Sequence, residues 1–265
     1  MSTTLTITVN PLPTAATIAS NIPVCSGDAA VFTISGDAGD TVSYSGASSG
    51  TATIGSGGTV DVTVAGVTSD TTLTLTNVND GTCDLALTGV SETVTVTALP
   101  PSAGTDGALT VCIGTTPTDT ELFGALNGTP AAGGTWSNVG LVYTYTQSAT
   151  APCTVDNTAT VTVTEQALPP SAGTDGSLTV CIGTTPTDTE LFGALNGSPV
   201  AGGTWSNVGL VYTYTQSATA PCTVDNTATV TVTEQALPPS AGTDGSLTVC
   251  IGTTPTDTEL FGALN

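Results

Sequence analysis

Thr160-Val-Thr-Val-Thr164, followed closely by Ala167-Leu-Pro-Pro170, is the stretch that decides the fold. Threonine and valine alternate with the period of two that places them on opposite faces of a β-strand. The prolines then end the strand, because proline lacks the N–H that a sheet needs, and they stiffen the connection that follows. The same order of strand and prolines occurs at 93–101. The sequence therefore predicts modules that each end on a strand and meet at a proline-rich joint.

These joints delimit an internal repeat. Residues 98–166 recur as 167–235 and differ only at Ala108/Ser177, Thr129/Ser198 and Ala131/Val200, while 236–265 repeats 167–196 unchanged. Such regularity is typical of tandem arrays whose modules contact their neighbours. We predict that 1–10 is the last strand of a preceding module and that 236–265, the tail, is the truncated start of a fourth. Between them lie module 1 (11–97), repeat 2 (98–166) and repeat 3 (167–235).

The charge composition excludes several functions. The chain has no lysine, arginine or histidine but 21 aspartates and glutamates, so its formal net charge is −21. Nucleic acids and anionic lipids are not expected as partners, because proteins bind both through cations. Without histidine or lysine there is no usual neutral-pH general base and no Ser-His-Asp triad. We expect no enzyme and no cofactor; paired carboxylates of the glycosidase kind are the remaining, distant catalytic alternative.

Composition also indicates folded β-structure. Hydrophobic residues make up 38% of the chain and charged residues 8%, unlike acidic disordered chains. Runs of threonine and valine are separated by Gly, Pro, Asp and Ser, which favour turns. No apolar run reaches about 18 residues, so no direct membrane insertion is expected.

Short, evenly spaced strand patterns predict the architecture. In module 1 they lie at 15–19, 30–35, 41–44, 51–54, 60–64, 72–78, 85–88 and 93–97. In repeat 2 they lie at 109–113, 134–137, 141–146 and 159–164. This spacing is typical of antiparallel β-sandwiches. We predict an all-β chain of tandem sandwich modules arranged as a beaded rod.

One short helix is predicted in each repeat. Thr118-Asp-Thr-Glu121 has the spacing of a capping box, in which the threonine and glutamate side chains bind the free N–H groups of a helix start. The predicted helix covers about 119–126, with an irregular loop as the alternative.

The seven cysteines follow the module pattern. The predicted disulfides are Cys25–Cys83, Cys112–Cys153 and Cys181–Cys222, of which the last two span equal distances in the sequence. One disulfide in each small module indicates an oxidising, extracellular setting. A loop of this size contributes about 4 kcal/mol in the chain-entropy model. Cys250 is predicted to be unpaired, because its partner would lie past residue 265.

Aromatic residues are concentrated in the repeats. We predict that Trp136 and Tyr143, with Trp205 and Tyr212 in repeat 3, pack in the module cores. Tyr143 and Tyr145 share a strand face by the period of two, so both should be buried or both exposed. The alternative is a sugar-stacking platform that the array repeats for avidity.

Aspartates at turns are candidate calcium ligands, because calcium binds carboxylate and carbonyl oxygens. The candidates are Asp106, Asp175 and Asp244 in equivalent joint loops and Asp80 and Asp84 in module 1. The alternative is turn chemistry, in which an aspartate before glycine needs no ion.

Several strings resemble one family of repeats. They include Pro-Ser-Ala-Gly-Thr-Asp-Gly, Gly-Gly-Thr-Trp-Ser, Val-Tyr-Thr-Tyr-Thr and Ala-Pro-Cys-Thr-Val-Asp-Asn-Thr-Ala-Thr-Val-Thr-Val-Thr-Glu-Gln. These resemble the immunoglobulin-like (Ig-like) repeats of giant Bacteroidota surface adhesins exported by the type IX secretion system, such as SprB-type gliding adhesins. The resemblance implies Ig-like modules at the cell surface. It also implies the secretion machinery and polysaccharide or solid surfaces as partners, and O-glycosylation at Thr41 and Thr71.

We therefore hypothesise a non-catalytic stalk of an extracellular adhesin filament that gives reach for surface attachment or gliding. One alternative is a self-assembling filament or surface-layer subunit, in which residues 4–9 complete the tail of another copy by strand addition. Another is a type IX secretion substrate captured in transit.

Overall fold

The structure, a computed structural model, describes residues 4–264. The strands of module 1 are β1 Thr17–Ser20, β2 Val24–Cys25, β3 Ala30–Ser35, β4 Thr41–Gly46, β5 Gly50–Thr53, β6 Thr59–Val64, β7 Thr71–Asn79, β8 Asp84–Val94 and β9 Val96–Thr97. Repeat 2 contains β10 Gly107–Cys112, α1 Asp119–Ala125, β11 Thr135–Val139, β12 Val142–Gln147 and β13 Asn157–Gln166. Repeat 3 contains β14 Gly176–Cys181, α2 Asp188–Ala194, β15 Thr204–Val208, β16 Val211–Gln216 and β17 Asn226–Gln235, and the tail contains α3 Asp257–Gly262.

Module 1 is a sandwich of two antiparallel sheets. Strands β1-β3-β6 form one sheet and β5-β4-β7-β8 the other. Along β3 and β7 alternate residues are buried, which is the pattern of a strand with one face on a core. Phe32, Ile34, Leu73 and Leu75 fill the space between the sheets. A separate two-stranded ribbon, β2 with β9, runs parallel and carries the chain to the joint.

Each repeat is built on one four-stranded sheet, in the order β10-β13-β12-β11 in repeat 2 and β14-β17-β16-β15 in repeat 3. In repeat 3, β15-β16 and β16-β17 are antiparallel, whereas β14-β17 is parallel. The second layer consists of α2 and the start of the repeat, which are tied by a bridge between Thr174 and Asn196. Leu191 of α2 packs into a core with Val230 and Val232.

The short helix in each repeat begins as the sequence predicts. The Thr118 hydroxyl accepts from the Glu121 backbone N–H, and the Glu121 carboxylate accepts from the Thr118 N–H at 2.8 Å. Gly176 faces the end of the equivalent helix α2, where a Cβ would lie only 1.8 Å from the Ala194 carbonyl oxygen. Glycine at this position therefore allows the helix to close onto the sheet.

The predicted all-β class with a short helix in each repeat is confirmed. Residues 4–16 form no strand in the structure, and Leu5, Ile7 and Val9 are exposed. That this segment closes a preceding module stays a prediction, because a strand needs a hydrogen-bonded neighbour. Contacts divide the described chain into two compact units. One contains residues up to Leu109 with Thr116–Thr164, and the other contains Thr110–Thr115 with the residues from Glu165 on. None of the described helices is long and apolar enough to cross a membrane.

Candidate functional site: the module joint and the aromatic groove

The parallel pairing of the first and last strands determines where each module presents its first cysteine. In repeat 3, β14 lies in register with β17, and Cys181 is opposite Gln235, the last residue of the repeat. In module 1, Cys25 is likewise opposite Thr97. Since parallel strands run in the same direction, both cysteines lie at the end of the module from which the chain leaves. We call this end the exit end.

The two disulfides link consecutive modules. Cys25 of module 1 is bonded to Cys153 of repeat 2, and Cys112 of repeat 2 to Cys222 of repeat 3. The second cysteine of each pair lies against the joint that precedes its own repeat. The sulfur of Cys153 is 3.6 Å from the Thr97 carbonyl oxygen, and that of Cys222 is 3.5 Å from the Gln166 carbonyl oxygen. Each bond therefore crosses a joint between modules.

The predicted pairs Cys25–Cys83, Cys112–Cys153 and Cys181–Cys222 are wrong. In repeat 3, Cys222 precedes the first residue of β17, whereas Cys181 lies opposite its last residue. At ~3.3 Å per residue, the ten residues of β17 separate the two cysteines by about 30 Å. A disulfide requires Cα atoms within about 7 Å. The second cysteine of a module can instead meet the first cysteine of the module before it.

The remaining cysteines of the described chain carry free thiols. Cys83 is half-buried, and Cys181 and Cys250 are exposed. Cys250 was predicted to be unpaired, whereas Cys83 and Cys181 were assigned to disulfides that the structure does not contain. Cys181 is the equivalent of Cys25 and Cys112, and it has the same position at an exit end.

Hydrogen bonds hold the exit end in the same way in both repeats. The Ile113 N–H donates to the Gln166 carbonyl at 2.9 Å, and Ile182 donates to Gln235 at 2.9 Å. The loop that follows is tied to the last strand through a glutamate. Gly114 N–H donates to the Glu165 carboxylate at 3.3 Å, and Gly183 N–H to Glu234 at 3.0 Å. The two residues that follow the first cysteine are thus held against the last strand of the repeat, one by its backbone and one by a glutamate side chain.

An aromatic groove is the second shared feature of the repeats. In repeat 2 it has a volume of about 290 Å³. Three aromatic residues line it: the Trp136 and Tyr145 ring centroids are 4.9 Å apart, and Phe123 meets Tyr145 edge-on at 5.5 Å. Asp119 and Thr120, at the start of α1, lie on the rim. In repeat 3 the equivalent residues are Asp188, Thr189, Phe192, Trp205 and Tyr214.

Tyr145 anchors this groove. It is 2% exposed, and its hydroxyl donates to the Ala131 carbonyl and accepts from the Gly134 N–H, each at 2.8 Å. The Gln147 side chain, also buried, donates to the Ala131 carbonyl at 2.6 Å. A Cβ on Gly134 would lie 2.6 Å from the Tyr145 ring, so glycine allows the loop to approach the ring. Tyr214 makes the equivalent bonds in repeat 3.

The predicted core aromatics flank this buried tyrosine. Trp136 and Tyr143 are half-buried. In repeat 3, Trp205 and Tyr212 pack against the core cluster that contains Tyr214. The sequence did not identify Tyr145 as the buried anchor. Alternation along a strand places Tyr143 and Tyr145 on the same face, so it cannot tell which of the two is buried. The available signal was the Gly133-Gly134 pair, which permits close approach to a ring.

The calcium candidates of the joint loops are held by hydrogen bonds within their own repeats. The Asp106 carboxylate accepts from the Thr160 N–H at 2.8 Å, and Asp175 accepts from Thr229 at the same distance. These bonds lower the pKa of Asp106 and of Asp175. Both aspartates thereby tie the start of a repeat to its last strand.

Asp80 and Asp84 lie on the same turn between β7 and β8, where each accepts hydrogen bonds from its neighbours. Asp80 accepts from the Cys83 and Thr82 N–H groups, which lower its pKa, and Asp84 accepts from the Asn79 amide at 2.9 Å. Asp244 is exposed in the tail. Among the described residues, no three His, Cys, Asp or Glu side chains meet as a metal site.

The two threonines of the predicted glycosylation pattern begin strands. Thr41 opens β4 and Thr71 opens β7, and both are half-buried. The Thr71 hydroxyl donates to the Ser69 carbonyl at 2.8 Å. Modification at either position stays a prediction.

No protein-family model and no curated protein sequence matches the chain. The solved structures that resemble it include a bacterial adhesin and a set of immunoglobulin domains. A Ca²⁺-stabilized adhesin with which an Antarctic bacterium binds ice has a TM-score of 0.37 at 15% identity, over 87% of this chain and 76% of that one. Sidekick-1 immunoglobulin domains 1–4 have a TM-score of 0.23 at 11% identity, over 90% and 78%. Structural similarity at these TM-scores supports no statement about what the chain binds.

Proposed function

We propose that the chain is a non-catalytic structural stalk in an extracellular surface adhesin, whose modules supply reach. The observation that carries this proposal is the disulfide across each joint, Cys25–Cys153 and Cys112–Cys222. A bond that only stabilised one small module would lie inside that module. A bond between consecutive modules limits how far the joint can open under load, which is a requirement of a stalk.

The cation-free composition supports the same role. Among the residues that catalyse reactions at neutral pH, histidine and lysine are absent from the chain. The near-identity of repeats 2 and 3 favours a spacer, because each added copy of one module mainly adds length to the array. The proposal includes surface attachment or gliding as the use of this reach. Type IX secretion would be its route of export, and polysaccharide or solid surfaces its targets.

Pulling a single molecule by its two ends tests the stalk proposal. The disulfides close overlapping loops, so only the stretches 1–25, 112–153 and 222–265 lie on the shortest covalent path. At ~3.6 Å per residue, that path extends to about 390 Å when oxidised and about 950 Å after reduction. The three disulfides predicted from spacing would instead give about 450 Å when oxidised.

The matched control for this experiment is Cys83→Ser, which removes a free thiol and should leave the oxidised length at about 390 Å. Cys25→Ser should lengthen it, because the path then runs from residue 1 to Cys112. An oxidised chain that extends as far as the reduced one has no bond across a joint, and the stalk proposal would then lose its support.

A second candidate function is a filament formed by strand addition. Leu5 and Ile7 are 88% and 78% exposed, whereas Val230 and Val232, their counterparts by position before the joint, are 0% and 3% exposed. Covering Leu5 and Ile7 needs a sheet that the described chain does not provide. Sedimentation velocity tests it: association that rises with concentration and is lost in Leu5→Ser/Ile7→Ser supports the filament, and monomers throughout exclude it.

O-glycosylation at Thr41 and Thr71 forms part of the extracellular proposal. Intact-mass measurement on protein from its native source tests it. A mass equal to that of the unmodified chain would exclude both sites.

A further inference from the structure

We propose that the aromatic groove of each repeat binds one amino-sugar unit of a cationic polysaccharide. The groove is lined by ring surfaces, Trp136 and Phe123, and by Asp119, an exposed acidic residue. A cationic pyranose presents an apolar ring face and an ammonium group on one unit. The inference rests on the proposed extracellular setting, where such polymers occur.

The ring surfaces are the part of the groove that is open to a ligand. Trp136 and Phe123 are half-buried, so part of each ring faces solvent, whereas Tyr145 is buried beneath them. The Tyr145 hydroxyl is already bonded to Ala131 and Gly134. A ligand therefore meets aromatic carbon, which suits the apolar face of a sugar ring or a cation.

The charge of the rim selects among such ligands. Asp119 is exposed at the rim, and the chain contains no side-chain cation. An anionic glycan would be repelled, while an ammonium group gains both a charge-assisted hydrogen bond and a cation–π contact. The volume of about 290 Å³ is at the small end of ligand pockets, so it suits a single ring better than an extended segment.

Duplication of the groove favours a polymer as the ligand. Repeat 3 has the same aromatic geometry: the Trp205 and Tyr214 centroids are 5.0 Å apart, and Phe192 meets Tyr214 at 5.5 Å. None of the three positions at which the repeats differ lines the groove. A ligand with the same ring many times can occupy two identical grooves, whereas a folded protein presents a given surface once.

Intrinsic fluorescence reports on these grooves directly, because the two tryptophans of the chain, Trp136 and Trp205, each line one. The chain would be titrated with glucosamine oligomers, with the amines charged, and with the N-acetylated oligomers of equal length. These ligands share the same sugar ring, and acetylation replaces the charged ammonium with a neutral amide. We expect the amine form to bind about threefold to tenfold more tightly, since exposed cation–π and charged contacts are modest.

Two double variants distinguish the effect of the groove aspartates from the effect of the overall negative charge of the chain. The double variant Asp119→Asn/Asp188→Asn should lose the preference for the amine form. The control variant Asp28→Asn/Asp37→Asn lacks two exposed charges of module 1 and should keep that preference. Three results would each overturn the inference: no fluorescence change with either ligand, equal affinity for both, or a preference that survives Asp119→Asn/Asp188→Asn. None of these results alters the oxidised length of 390 Å or so that tests the stalk.

Discussion

Module 1 and repeat 3 form their cores differently. Module 1 packs two sheets around aliphatic side chains and Phe32, and its core cluster has many buried members. Repeat 3 has one sheet, a seven-residue helix and a smaller cluster centred on a tyrosine whose hydroxyl is bonded to the backbone. The repeat therefore depends more on single side chains and on polar contacts than module 1 does.

The exit end, by contrast, is the same in both. Each has a parallel pair of first and last strands that places a cysteine opposite the last residue of the module, Cys25 opposite Thr97 and Cys181 opposite Gln235. Modules with different cores thus share the same arrangement of strands and cysteine at the exit end. The comparison indicates that the connection between modules, more than their interior, is the feature common to the array.

Truncating one core leucine should give the largest difference between the two regions. Leu191→Ala in repeat 3 and Leu73→Ala in module 1 each remove a fully buried side chain, at a cost of about 2–5 kcal/mol. We expect repeat 3 to unfold at or near room temperature and module 1 to remain folded with a lowered Tm. Calorimetry measures both. Leu168→Ala, at an exposed position, is the control and should shift neither transition.

Removing one hydroxyl should have the next largest effect. Tyr214→Phe leaves the Gly203 N–H and the Val200 carbonyl without this partner, at about 1–3 kcal/mol. Tyr212→Phe is the matched change on the same strand, at a tyrosine that is half-buried. Urea unfolding followed by tryptophan fluorescence should show a lower midpoint for Tyr214→Phe alone. Equal midpoints would mean that the repeat does not depend on this polar contact.

Removal of the helix cap should lower the stability of repeat 3 by less than the tyrosine substitution does. The Thr187 hydroxyl accepts from the Glu190 N–H, and Thr187→Ala should destabilise repeat 3 by about 1 kcal/mol. For a domain of this size that corresponds to roughly 4–8 °C in Tm. Module 1, which contains no helix among its described residues, should keep its transition. A shift of both transitions would show that the two regions unfold together.

The smallest expected effect is on pH dependence. Hydrogen bonds from the Thr187 backbone and side chain lower the pKa of Glu190. A carboxylate with a lowered pKa stabilises the fold above its unfolded pKa of about 4.3, and this contribution is lost as the pH falls through the folded pKa. Glu190→Gln should therefore flatten the loss of repeat 3 stability below about pH 4. Urea unfolding midpoints at pH 3, 5 and 7 measure this change. If the midpoint of Glu190→Gln falls between pH 5 and pH 3 as much as that of the unmodified chain, other carboxylates cause the loss of stability.

Local features of the fold could be predicted from the sequence, and relations between distant segments could not. The capping box at Thr118 and Glu121 and the strand over 30–35 depend on adjacent residues, so their patterns are sufficient. The cysteine partners depend on the direction in which the first strand of a module runs beside its last. Alternation of Thr and Val is the same for either direction, and equal spacing of Cys112–Cys153 and Cys181–Cys222 reflects only the repeat period.

The groove shows the same limit. Trp136 and Phe123 are 13 positions apart and line one groove because each packs against Tyr145. Sequence alone identified the tryptophan but had no means of pairing it with Asp119. Tyr145 anchors the groove because its hydroxyl donates to the Ala131 carbonyl. This contact exists only in the folded loop, so the sequence pattern does not reveal it.

The overlap of the two disulfide loops also bears on damage. Cys25–Cys153 and Cys112–Cys222 both enclose 112–153. A single backbone cut anywhere between residues 25 and 222 leaves both pieces joined by at least one sulfur–sulfur bond. Bonds confined to single modules would leave every joint severable by one cut. Between residues 25 and 222 the chain is therefore covalently redundant, and within this stretch a protease must cut and a reductant must act before the pieces separate.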